Sequence, residues 1–111
     1  MNAIPYRQRI FSFDDFLPEE RRKYLVVVIY DIPDNKRRAH FSKFLEGFGV
    51  RVQKSAFECV LSGHLYEKLI SEIPRHLTEE DLIRVYKLSG NADIRAWGHI
   101  PLSQDSEVTI V

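Results

Sequence analysis

The clearest pattern in the chain is residues 24–31, Tyr-Leu-Val-Val-Val-Ile-Tyr-Asp, a β-branched and aromatic run with apolar side chains on both faces. It predicts a central strand covered on both sides. The strand ends at Asp31, because Pro33 restricts the backbone before it. Asp34 or Asn35 then offers an N-cap. Phe41, Phe44, Leu45 and Phe48 recur at i, i+3, i+4 and i+7, the buried stripe of a first helix, with Gly49 as its expected C-cap. Alternation over residues 50–61 predicts two short strands with a bend near residues 54–56. Ser62 is placed to cap a second helix, with Leu65, Leu69, Ile73 and Leu77 as its stripe and Ile70 beside it. Pro74 should end or kink that helix. Residues 81–88 read as a fourth strand, 89–93 as a turn containing Gly90 and Asn91, 94–100 as a fifth strand and 107–111 as a short terminal one.

The resulting order is βαββαβ with a strand-forming tail, an α+β pattern of the ferredoxin-like, split βαβ kind. Two helices cover one face of such a sheet. The first strand is apolar on both faces, and a chain of 111 residues has no third layer to cover the other. A second copy of the chain supplies that cover most economically, so the pattern predicts a homodimer. Residues 1–23 stand apart as an N-terminal arm: Tyr6, Phe11, Phe13 and Phe16 are mixed with charges and follow no period. Residues 24–104 form the expected domain, and residues 105–111 a C-terminal strand or tail for partner contact.

Composition narrows the class. No apolar run approaches the ~20 residues needed to cross a bilayer, and the first residues lack the apolar core of a signal peptide, so no membrane role is expected. The single cysteine, Cys59, allows no intrachain disulfide; it fits a reducing cytoplasm and a packing role. The formal net charge is zero but unevenly spread. Residues 21–56 hold nine basic and three acidic side chains (+6), residues 57–111 five and nine (−4), and residues 1–20 two and four (−2). The basic third is either a solvated face or a surface for a polyanion.

Three segments can carry chemistry. Asp31, at the end of the central strand, is either a turn residue or a carboxylate for a hard divalent cation. One carboxylate makes a poor Mg²⁺ site, and a twofold dimer would supply the second. Lys36, Arg37 and Arg38 open the first helix, with Arg37 and Arg38 leaning toward the sheet. They either pair with Asp31 to order the turn or bind phosphate beside the free N–H groups of the helix start. In the third segment, Arg51, Gln53 and Ser55 are expected on one strand face as a row of donors for a sugar–phosphate backbone. Phe57 is either a base-stacking residue or core.

Taken together these segments resemble one family. A hydrophobic strand ending in Tyr-Asp-Ile-Pro-Asp, then Lys-Arg-Arg opening a helix, then Gly-Val-Arg-Val-Gln-Lys-Ser-Ala-Phe-Glu, is similar to CRISPR-associated protein 2 over about residues 24–100. That family usually has Gln-x-Ser-Val-Phe-Glu, where this chain has Ala56, and it usually begins almost at the first strand, without a 23-residue arm. The resemblance implies a ferredoxin-like homodimer with Asp31 as catalytic and metal-binding carboxylate, one Mg²⁺ being shared by Asp31 of two subunits. It implies Arg37, Arg38, Arg51, Lys54, Ser55 and Phe57 near nucleic acid. It further implies a CRISPR adaptation role, bridging CRISPR-associated integrase dimers and holding spacer-precursor DNA, with metal-dependent endonuclease activity on RNA or DNA in some members. The competing readings are a nucleic-acid-binding scaffold without catalysis and a regulatory ferredoxin-like domain.

Overall fold

The computed structural model describes residues 21–98. They form a five-stranded antiparallel sheet in the order β2-β3-β1-β4-β5. Its strands are β1 (Lys23–Asp31), β2 (Gly49–Gln53), β3 (Ala56–Ser62), β4 (Leu82–Lys87) and β5 (Asp93–Gly98). The helices are α1 (Asn35–Leu45) and α2 (Gly63–Glu72). β3 lies between β1 and β2, which is the split βαβ arrangement, so the expected α+β, ferredoxin-like class is the observed one. Of the expected fifth strand, residues 99 and 100 lie outside the described residues, as do residues 1–20 of the arm and the tail at 105–111.

β1 is central for the reason its composition gives. Val26, Val28 and Tyr30 point to the helix side and are almost completely buried. They meet Cys59, Phe57 and Leu61 of β3 and Ile83 and Val85 of β4, with Phe41, Leu45, Tyr66, Leu69 and Ile73 above them. Tyr30 packs edge-on to Phe41 with ring centroids 5.1 Å apart.

The opposite face of the sheet has no cover among the described residues. Leu25, Val27, Ile29 and Asp31 point that way from β1, and Ile29 is 44% exposed. Across β3, Val60 stands beside Leu25 and is 66% exposed. Among the described residues this face is therefore open and largely apolar, as β1 predicted.

Local chemistry corrects two sequence expectations. Gly49 is not the C-cap of α1. The helix closes at Leu45, where the Glu46 N–H still reaches the Ser42 and Lys43 carbonyls, and Gly49 opens β2. A side chain there would run into the Glu58 carbonyl oxygen and Cys59 Sγ, so close strand approach requires the glycine. In α2, the Ser62 hydroxyl accepts from Leu65 N–H at 3.2 Å and sets the helix phase. Tyr66, Leu69 and Ile73 then face the core, while Leu65 is 40% exposed. Pro74 does end the α-helix, in a 3₁₀ turn over Ile73–His76.

Candidate functional site

The C-terminal end of β1 collects most of the predicted residues. The Tyr30 N–H donates to the Ser55 carbonyl at 3.1 Å, which holds the β2–β3 turn, with exposed Lys54, beside Asp31. The chain then passes Ile32 and Pro33 into α1, so Arg37 and Arg38 stand at the same end of the sheet.

Asp31 is exposed and makes no hydrogen bond or ion pair among the described residues. Each structural task the sequence left open for it is performed by another group. The helix cap is Asp34, whose Oδ2 accepts from Arg37 N–H at 2.8 Å. Arg37 does enter a carboxylate pair, but with Asp81, not Asp31. Arg38 donates to the Ile32 carbonyl at 2.8 Å and to the Asn35 side chain. The turn is thus ordered without Asp31, and a solvent-facing carboxylate is left at the mouth of the open face. It lines a shallow depression with Ile29, Tyr30, Leu82, Arg84 and Tyr86.

The expected donor row on β2 is corrected. A bulge falls between Arg51 and Gln53, so Arg51 pairs with Phe57 while Gln53 pairs with Ala56. Neighbouring β3 residues face opposite ways, so Arg51 points to the helix side and Gln53 to the open face. Arg51 lies 5.5 Å from the Phe57 ring centroid and donates to Ser42 Oγ and to the Lys54 carbonyl. It therefore pins the β2–β3 turn to α1. Ser55 sits in that turn rather than on the strand. Phe57 takes the core alternative, with no exposed surface. Arg37, too, is committed to the fold; Arg38 and Lys54 are the cations of the predicted set that form no ion pair with a carboxylate among the described residues.

Sequence reasoning missed Asp81. It is completely buried, pairs with Arg37 and accepts Thr78 N–H at 2.9 Å, while its Oδ1 has no partner. Its signal was present: an acid directly before a strand whose Ile83 and Val85 alternate into the core, with a cluster of arginines earlier in the chain. The Asp81 pair raises the Arg37 guanidinium above its usual value, chiefly through that hydrogen bond. Cys59 is inert by location, since burial pushes its thiol up to about 11.

One chain supplies a single exposed carboxylate here that is not already engaged, since Asp34 caps α1, and no group of three or more metal-ligating side chains occurs among the described residues. A hard cation is served by two carboxylates with water completing its shell. The donor set fits Mg²⁺ only when doubled by a second copy.

A ferredoxin-like α+β sheet with two helices on one face, an unpaired aspartate side chain at the end of its central strand and arginines around that end defines the class of fold and site. The sequence model of the family described as CRISPR associated protein Cas2 matches residues 24–95, and the chain belongs to that family. It is 49% identical over 76 residues to a CRISPR-associated endoribonuclease Cas2 of Mycobacterium tuberculosis, covering 68% of this chain and 67% of that one. It is 41% identical over 91 residues to CRISPR-associated endoribonuclease Cas2 3 of Synechocystis, covering 79% and 99%. The crystal structure of Streptococcus pyogenes Cas2 at pH 6.5 superposes with a TM-score of 0.54 at 32% identity, covering 60% of this chain and 88% of that one. No helix among the described residues is long and apolar enough to cross a membrane.

Proposed function

We propose that this chain works as a homodimer in CRISPR adaptation, bridging integrase dimers and holding spacer-precursor DNA, with a pair of Asp31 carboxylates as a Mg²⁺ site for phosphodiester cleavage. The observation that carries the metal reading is the freedom of Asp31: the cap, the turn and the arginine pair are all supplied by other residues. A twofold axis lying along β1, between two open faces, brings Asp31 against its copy and covers the apolar surface in the same step. Bound there, the cation would activate water and neutralise charge on the phosphodiester. The protein's own part is to hold two carboxylates at one point and to guide phosphates with Arg38 and Lys54. The names of the relatives favour cleavage of RNA or DNA.

A scaffold without catalysis is the second reading. It is favoured by a site with one unpaired acid per chain among the described residues, His40 lying exposed on α1. The two are separated by Asp31→Asn, assayed with and without Mg²⁺ on single-stranded RNA and double-stranded DNA. For the enzyme, Mg²⁺-dependent cleavage falls by more than the ~100-fold that outer-shell partners of a metal are worth, while thermal stability and DNA affinity persist. No cleavage by wild type, with intact assembly on the integrase, selects the scaffold.

A further inference from the structure

Beyond Lys23 at its far end, the open face carries three charges in an apolar field, and their positions follow from the strand register. Glu58 stands on β3 beside Val27, whose other neighbour is Tyr86 on β4. One step along, Ile29 is flanked by Ala56 on β3 and Arg84 on β4, and the next step ends at Asp31. Glu58 and Arg84 thus lie on opposite sides of β1, one step apart along it. Neither forms an ion pair among the described residues, and the Arg84 Nε–H is buried without an acceptor. A buried guanidinium donor without an acceptor carries a desolvation cost that an incoming carboxylate removes.

We infer that Arg84 of each copy pairs with Glu58 of the other, so that two symmetric ion pairs set the register of the face-to-face dimer. The inference rests on the dimer reading above and follows from its symmetry. A twofold along β1 that joins the two Asp31 residues carries the β3 side of one sheet over the β4 side of the other. Glu58 then falls one step, about 7 Å, along the strand from Arg84, across the ~10 Å gap between packed sheets, within a long side chain's reach. The occupant of the face is a second copy because the face complements itself in charge: the cation at its centre, Arg84, lies where the symmetry delivers an anion.

The test is a charge swap read by analytical ultracentrifugation. Arg84→Glu and Glu58→Arg, each alone, place like charges at both contacts and should weaken self-association by roughly tenfold or more. The double variant restores opposite charges and should recover the wild-type dimer. Mixing the two single variants should give heterodimers, because each contact then joins a glutamate to an arginine. Glu58 is exposed, so Glu58→Arg tests the contact even where Arg84→Glu folds poorly. A wild-type dimer that Glu58→Arg leaves unweakened, or a folded double variant no stronger than the single ones, overturns the pairing and leaves the dimer standing. A monomeric wild type overturns both.

Discussion

Arg37 and Arg38 are neighbours with different occupations. Arg37 neutralises a fully buried carboxylate, and removing one partner of such a pair leaves a charge stranded in the interior. Arg37→Ala should therefore destabilise the fold, chiefly by leaving the Asp81 carboxylate buried without its partner. Arg38→Ala should cost less stability and more DNA affinity. Urea denaturation beside a binding titration separates them, and equal losses in both assays would contradict the assignment. His76 gives a pH dependence. Its ring stacks on Phe44 with centroids 4.2 Å apart and touches Phe41, and burial lowers its pKa below the usual 6.5, assisted by Arg75 and His40 and opposed by Glu72. The folded state therefore holds His76 neutral more firmly than the unfolded chain does. That contribution is intact above pH 6.5 and declines as pH falls through the unfolded value toward the lower folded one. Replacing His76 by Phe should flatten this part of the stability–pH curve between about pH 7.5 and 5, as followed by denaturation at each pH.

At the scale of elements, β2 is held to the sheet by β3 alone and by the Arg51 contacts at its end. Gly49 lets its first residue approach β3 closely. Gly49→Ala should lower stability by about 1–3 kcal/mol, the range for an overpacked position, and should speed amide exchange in β2 before β1. Uniform loss of protection across the sheet would show that β2 does not open independently. The bulge at β2 has a related consequence. By turning Arg51 to the helix side it converts a candidate phosphate ligand into a fastener for the turn that carries Lys54. Arg51 is thus a positioning residue for the basic turn.

At the scale of the whole molecule, the open face and the basic middle of the chain act together. Residues 21–56 carry a net +6, and the proposed dimer would bring two such segments together. Sedimentation at micromolar concentration should give twice the 13.0 kDa chain mass, and binding to duplex DNA should weaken steeply with salt as counterions are released. Arg38→Ala combined with Lys54→Ala should flatten the salt slope by about 0.9 for each phosphate that is no longer neutralised. An unchanged slope would place the nucleic acid elsewhere on the surface.

Periodicity and caps determined the five strands, the two helices and the uncovered face, because the doubly apolar β1 and the caps at Asp34 and Ser62 are local signals. The family was legible too, since its motif residues stand close together in sequence. Which side chains are free to act was decided by tertiary structure. Asp31 is free only because Asp34 caps the helix and Asp81, 50 residues beyond it in the chain, takes Arg37. Phe57 is taken into the core, and Arg51, turned to the helix side by the bulge in β2, bonds to Ser42 and the Lys54 carbonyl. A charge's availability depends on what long-range packing sets against it, and no local pattern records that.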